Sequence, residues 1–327
     1  MNPLSALYGA VVATRNALYD HGIPTADRLE GPVVSIGNLS VGGSGKTPFL
    51  ILLGELLQQR GIAFDVLSRG YRRKTTGVAI VQPNGTAAEF GDEPLLLARR
   101  LGVKVIVGKN RYPAGELAEE LSGPQLHLLD DGFQHRKLSR DFDIVLVSSG
   151  DAKDSLLPIG RLREPLASLA RAHAVVLTND DSLPHNVVDH RNKGAYASNQ
   201  GTPQIWRVRR DIVPPTTSEP CFAFCGIARP DSFLAQLRAA GVTLAGTRSF
   251  RDHQRYSAAD VQEMLKSRQQ SGASLFVTTE KDAINLGDHL LALHPLQVVP
   301  VRMRLEDADA ALDAMLAAIG TRTKTAT

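Results

Sequence analysis

A short apolar run, Val33–Ile36, leads into the glycine-rich turn VGGSGKTP (Val41–Pro48), and a helical pattern follows from Thr47 to Gln59. This succession constrains the fold more than any other feature, because a strand, a tight glycine loop and a helix in that order form a cradle for phosphate. Gly42, Gly43 and Gly45 let the backbone curl so that its N–H groups point inward at an anion. Lys46 brings a point charge for the outer phosphates, the Thr47 hydroxyl suits Mg²⁺, and the helix start adds its dipole. The general loop pattern places glycine six residues before the lysine, where this chain has Ser40. Context and the GGSGKT core outweigh that departure. Ser40, Val41, Gly42, Gly43, Ser44, Gly45, Lys46 and Thr47 are therefore expected to wrap a nucleotide's phosphates. An incidental glycine-rich turn would leave the strand and helix around it unexplained.

Partition-type ATPases place a lysine directly before the paired glycines, and here that place is Val41. The base-reading N-K-x-D order of GTPases is absent, since Thr279–Asp282 runs in the wrong order. ATP with Mg²⁺ is the expected ligand.

Further strands are expected at Phe64–Leu67, Val78–Val81, Val103–Val107, Leu126–Leu129, Ile144–Val147 and Ala174–Leu177, with helices at Glu93–Arg100 and Tyr112–Leu121 between them. Apolar strands separated by helices predict an α/β, mostly parallel sheet covered on both faces. The linker-like DIVPPTTSEP (Asp211–Pro220) interrupts this pattern. A second alternation follows: strand Phe222–Phe224, helix Asp231–Ala240, a strand near Val242–Ala245, helix Ala258–Gln269, strands Leu275–Thr278 and Gln297–Val301, and helix Asp307–Ile319. The reading is an N-terminal helix over 1–20, a P-loop lobe over 21–211, a smaller α/β lobe over 212–320 and a disordered tail over 321–327.

A net charge of +3 with 43% hydrophobic residues fits a globular protein and argues against a nucleic-acid partner. Cys221 and Cys225 share one face of a strand and read as buried free thiols rather than metal ligands. No apolar run is long enough for a membrane-spanning helix, and no secretory signal is visible. At helical spacing Leu4, Leu7, Tyr8, Val11, Val12, Leu18 and Tyr19 share a face that also holds Arg15. Periodicity alone favours docking on the core over a helix lying in a membrane interface.

The stretch LHLLDDGFQH (Leu126–His135) ends a strand in acid, as a phosphate loop's Mg²⁺ partner should. Asp130 and Asp131 alternate in direction, so one faces metal while the other organises the site; a strand-end cap is the plain alternative. GDEP (Gly91–Pro94) reads from spacing as a helix cap, or as a source of the base that deprotonates an attacking hydroxyl. SRGYRRK (Ser68–Lys74) follows a strand with four cations, suited to an anionic substrate or to solvent. Arg161, Arg163 and Glu164 in LPIGRLREP could clamp phosphate or metal, or form surface ion pairs. His253 in FRDHQRY (Phe250–Tyr256) sits beside Asp252 among arginines.

Together GNLSVGGSGKTP, LSRGYRR, GDEP, GKNRY, LDDGFQH, LPIGRLREP, FCGIARP, FRDHQRY and TTEKDA resemble, in order, the motifs of the tetraacyldisaccharide 4′-kinases of lipid A biosynthesis. The resemblance spans roughly residues 37–283, and Ser40 is close to what that family has there. It implies two α/β/α lobes joined by a β linker. It also implies ATP-dependent phosphorylation of the 4′-hydroxyl of an acylated disaccharide 1-phosphate, giving lipid IVA. The enzyme would be peripheral, on the cytoplasmic face of the bacterial inner membrane, with no obligate protein partner. The interfacial reading of the N-terminal helix then becomes the preferred one. By the same resemblance Lys46 meets phosphate, and Thr47, Asp130, Asp131 and Glu164 belong to the metal site. Asp92 is the base and His253 supports it. Arg69, Arg72, Arg111 and Arg163 fall in matching motifs, and their assignment to substrate phosphate is an inference from charge. Arg251 and Gln254 depart from many members, while His253 keeps its place after Asp252. A kinase of a soluble sugar or nucleoside, or a nucleotide switch that transfers nothing, are the rival classes.

Overall fold

Strands made of Val, Ile and Leu, with no polar face, require cover on both sides. A computed structural model, which describes residues 2–178 and 202–323, shows that cover. Nine strands form the main sheet: β1 (Val33–Asn38), β2 (Phe64–Ser68), β3 (Ala79–Ile80), β4 (Val105–Val107), β5 (Leu126–Asp130), β6 (Phe142–Val147), β7 (Ala174–Thr178), β8 (Gln204–Ile212) and β13 (Val301–Leu305). Their order is β13-β8-β7-β6-β1-β5-β2-β4-β3, parallel except for the two edge pairs β3–β4 and β8–β13. β1 lies between β5 and β6, with Ile36 opposite both Asp130 and Ile144. At such a point the chain turns to opposite sides of the sheet and leaves a crevice beyond the strands' carboxyl ends.

The helices of this lobe are α1 (Pro3–Asp20), α2 (Lys46–Gln59), α3 (Ala87–Phe90), α4 (Asp92–Leu101) and α5 (Arg111–Ser122). α2 buries Phe49, Leu50, Leu53 and Leu57 against Val34, Ile36 and Leu128 of the sheet. On the opposite face Leu29, Val33, Leu67, Leu129, Ala114 and Ala118 pack beneath α5.

The second sheet is β10-β9-β11-β12, all parallel, built from β9 (Cys221–Cys225), β10 (Leu244–Ser249), β11 (Leu275–Thr279) and β12 (Leu296–Val299). It carries α6 (Pro230–Ala239), α7 (Ala258–Ser271) and α8 (Glu280–Leu286). α7 starts at a capping box between Ser257 and Asp260 and stops at Gly272 in the left-handed conformation. Cys221 and Cys225 are free, buried and on one face with Ala223, while Phe222 and Phe224 pack on the other.

Two expectations are corrected. The single strand expected over Gln297–Val301 is two strands in different sheets, broken at Pro300, which has no N–H to give to a ladder. Residues after that break return to the first lobe. β13 pairs antiparallel with β8, and α9 (Ala308–Thr323) buries Ala311, Leu312, Met315 and Ile319 in the main core. The second lobe thus closes near Pro300 instead of running to 320. The tail expected over 321–327 begins inside α9, and residues 324–327 lie outside the described residues.

α1 satisfies neither reading of its apolar face alone. Val12 is buried, and Ser5 and Tyr8 hydrogen-bond to the backbone at Leu156 and Arg163. Leu4, Leu7, Val11 and Leu18 remain exposed along a single row. No helix among the described residues is long and apolar enough to cross a membrane.

Candidate active site

The phosphate loop leaves the carboxyl end of β1 and enters α2 through Gly45, whose φ of 85° only glycine takes without strain. No side chain caps α2 and no acid sits in its first turn, so its N–H groups are left for an anion. Asn38 organises the loop. Its Nδ2 donates to Ser40 O at 2.6 Å, and its Oδ1 accepts from Lys46 Nζ at 2.9 Å and from Arg163 Nη2.

Asp131 stands opposite the loop with φ 49°, a backbone strain of the kind held at functional positions. Arg163 grips it through two hydrogen bonds of 2.9 and 2.8 Å, and Lys46 Nζ lies 3.4 Å away. Burial raises its pKa, but the Lys46 charge and the Arg163 pairing outweigh that and hold the carboxyl well below the usual range. Asp130 has the opposite fate. It is buried and accepts from Ser68 Oγ at 2.8 Å. Burial, then the charges of Glu93 and Asp131, push it up to about 7. Glu93 is paired at 2.7 Å with Lys281 Nζ from the second lobe, whose charge holds it ionised against burial.

Whether these residues fit Mg²⁺ follows from that crowding. No three acidic, His or Cys side chains among the described residues form a protein cage. Mg²⁺ at phosphates typically takes only one or two carboxylates, the rest coming from phosphate and water. Asp130, made reluctant to ionise by burial and by its acidic neighbours, is the carboxylate a divalent cation would relieve, and Thr47, in the first turn of α2, lines the same cleft. The residues fit.

The other half of the site crosses between lobes. Asp92 opens α4 after Gly91, which is the N-cap, so Asp92 itself is not the cap. Its Oδ1 accepts from Glu93 N at 2.9 Å. Its Oδ2 accepts from His253 Nδ1 at 2.7 Å and from Asn285 Nδ2 at 3.1 Å. Burial raises the Asp92 carboxyl, but the His253 hydrogen bond and the Lys281 charge bring it well below the ordinary range. His253, with φ 57°, donates its backbone N–H to Gly226 O and meets the Tyr71 ring edge-on at 5.6 Å. Arg72 donates to Asp252 O at 2.9 Å, and Arg255 donates to Arg72 O at 2.6 Å. Arg100 pairs with Glu280 at 2.7 Å. The lobes enclose a cleft of about 590 Å³, lined by the phosphate loop, Asp130, Asp131, Arg163, His253 and Lys281 among others. Asp92 stands one layer behind His253 and does not line it.

A family model described as tetraacyldisaccharide-1-P 4′-kinase matches residues 1–320. The chain belongs to that family. The tetraacyldisaccharide 4′-kinase of Koribacter versatilis is 51% identical over 332 residues, covering 98% of this chain and 99% of the relative. That of Geobacter metallireducens is 38% identical over 324 residues, covering 93% of each. A crystal structure of LpxK from Aquifex aeolicus in complex with ATP superposes with a TM-score of 0.76 at 34% identity, covering 97% and 98% of the two chains. The P-loop fold is that of the 4′-kinase family.

Within this member of the 4′-kinase family the phosphate loop, Asp130, Asp131 and His253 come together as expected. Glu164 does not. Its fully buried carboxylate faces α1 and accepts from Asn16 and Arg171 at 2.9 Å each, so it stands apart from Thr47 and the cleft. Arg163 points into the cleft, while Glu164, next along an irregular segment bridged only at Leu162, points the other way toward α1. Of the arginines, Arg69 is exposed at the cleft, and Arg72 spans the lobes. Arg163 is engaged by Asp131 and Asn38. Arg111 is buried at the start of α5 with the charges of Asp131 and Asp130 acting on it. Sequence reasoning missed Asn38, Ser68, Lys281 and Asn285. Lys281 had a signal, since TTEKDA puts a lysine at the start of a helix directly after a strand.

Proposed function

We propose that the protein transfers the γ-phosphoryl group of ATP to the 4′-hydroxyl of tetraacyldisaccharide 1-phosphate, yielding lipid IVA at a membrane surface. Family membership supports the reaction, and the observation that carries it to named residues is the Asp92–His253 hydrogen bond beside the phosphate loop. A nucleotide switch has no use for a buried carboxylate–imidazole pair there.

Lys46 and the α2 N–H groups stabilise charge on the outer phosphates. Thr47, Asp130 and Asp131 are the residues that would hold Mg²⁺, which when bound neutralises charge on the departing diphosphate. A sugar hydroxyl is a poor nucleophile at neutral pH, and the Asp92–His253 pair removes its proton. Asp92 accepts it in the reading taken from the family motif. One observation favours a second assignment: His253 lines the cleft and Asp92 does not, so His253 Nε2 takes the proton while Asp92 fixes the ring. His253→Gln separates the two, since a glutamine still donates to Asp92 but cannot take a proton. Substantial residual transfer supports Asp92 as acceptor, and complete loss supports His253.

Arg69, exposed at the cleft, is the proposed contact for substrate phosphate, with Arg111 buried near it as a second source of positive charge. The exposed row Leu4, Leu7, Val11 and Leu18 is the proposed membrane contact, because acyl chains of the substrate stay in lipid while the cleft works in water. The peripheral location on the cytoplasmic face follows from the ATP requirement. The reading is tested by supplying acylated and deacylated disaccharide. Equal turnover of both points to a soluble-sugar kinase instead.

A further inference from the structure

Residues 156–164 form a strap between α1 and the phosphate loop. On one side Arg163 N donates to Leu39 O at 2.6 Å, Val41 N donates to Arg161 O at 2.8 Å, and Ser40 and Leu162 form an antiparallel bridge. On the other side lies α1. Ser5 Oγ donates to Leu156 O at 2.9 Å, and Tyr8 OH donates to Arg163 O at 3.1 Å. The approach is close: a Cβ on Gly9 would lie 2.9 Å from Leu156 Cδ1.

Glu164 is the polar centre of this contact. Its side chain is fully buried. It accepts from Asn16 Nδ2 at 2.9 Å and Arg15 Nη2 at 3.4 Å on α1, and from Arg171 Nη2 at 2.9 Å behind it. A buried carboxylate is tolerated only while its partners stay in place. Next along the strap, Arg163 reaches the other way and binds Asp131 and Asn38 Oδ1, the oxygen that also receives Lys46. α1 and the phosphate-binding lysine are therefore joined by one short chain of contacts. The exposed apolar row adjoins the docking residues, roughly a quarter turn round α1 from them, so a surface that seats or lifts the helix acts directly on the strap.

We infer that Glu164 is a positioning residue: by holding α1 on the strap it sets the grip of Arg163 on Asp131 and Asn38, and so couples helix seating to phosphoryl transfer. The inference deepens the kinase reading and rests on it. An anchor that merely recruited the enzyme to lipid would not need contacts with the strap that carries Arg163.

The test uses the full chain in detergent micelles with acylated disaccharide, where recruitment does not limit the rate. Glu164→Ala leaves Arg171 without its partner and risks misfolding, so Asn16→Leu and Tyr8→Phe are the working variants, each with its thermal midpoint checked. Each is expected to lower kcat roughly tenfold while KM for the disaccharide changes by less than about twofold, the pattern of lost positioning. Unchanged kcat, with only KM or micelle recovery altered, overturns the coupling and leaves α1 an anchor. If the wild-type chain phosphorylates no disaccharide, the kinase reading itself has failed, and ATP affinity by calorimetry without lipid decides the coupling instead. Asn16→Leu weakening ATP by roughly fivefold supports it, since Lys46 is the group disturbed. Unchanged affinity overturns it.

Discussion

Asp130 and Asp131 are adjacent, yet one is pushed up to about 7 by burial and like charge while the other is held low by Lys46 and Arg163. LDDGFQH predicts that the two point different ways as strand neighbours. β5, however, ends at Asp130 and Asp131 turns beyond it at φ 49°, so the turn and not strand alternation sets its direction. Which cation served which acid was not legible, since Arg163 and Asp131 are far apart in sequence. Asp92→Asn is expected to lower kcat by roughly 10²–10⁴-fold, the usual contribution of a positioned base, with ATP affinity within about twofold. Single-turnover transfer and calorimetry check it, and near-normal turnover contradicts the base assignment. His135 offers a pH test. Burial, reinforced by Arg111, Arg140, Lys137 and Arg69, pushes its imidazole down to about 4, and its buried Nε2 has no hydrogen-bond partner among the described residues. An unfolded histidine titrates near ~6.5, so between ~6.5 and ~4 the unfolded chain binds the proton first. His135 therefore contributes stability above that window that is lost as pH falls through it. Urea unfolding at several pH values should show His135→Gln with a flatter decline over that range, and an unchanged slope contradicts the assignment.

At the level of elements, strands and helices that bury both faces were readable as apolar runs. β8 was passed over because only Trp206 and Val208 of its alternating pattern are buried, with Arg207 and Arg209 facing out. β13 and α9 were placed in the wrong lobe because periodicity tells what a segment is and not which sheet edge it completes. α1 shows a similar limit: a helix that docks through Ser5, Tyr8, Val12 and Asn16 hides its docking face among polar residues, and its apolar row is what stays exposed. Leu7 and Val11 are 65% and 61% exposed. Leu7→Ser with Val11→Ser is therefore expected to leave unfolding stability within about 0.5 kcal/mol, as for surface changes generally. Recovery on lipid vesicles should fall roughly tenfold or more, because each buried aliphatic side chain contributes about 1.5–3 kcal/mol. Flotation of the variant at the wild-type level contradicts an interfacial helix.

For the whole molecule, the cleft is made by the approach of two lobes, and the Asp92–His253 pair joins positions 161 residues apart. Composition and spacing could not reveal that pairing; the ordered motifs did, through resemblance, and the structure supplies the contact. Lys281 contributes to closure by pairing with Glu93 beside Asp130. Lys281→Met leaves Glu93 without that partner and is expected to cost on the order of 1–3 kcal/mol in urea unfolding, the cost of an orphaned hydrogen-bonded charge. No loss of stability would mean that the pair is not what holds α4 to α8. The central claim is phosphoryl transfer to a glycolipid hydroxyl between the lobes. Its most direct measurement is incubation of the full chain with γ-labelled ATP, Mg²⁺ and acylated disaccharide 1-phosphate, followed by chromatography of the lipid. The account predicts label on the disaccharide at its 4′ position, lost in both Lys46→Ala and Asp92→Asn. An unlabelled lipid at saturating concentrations of both substrates, or full labelling by either variant, would contradict it.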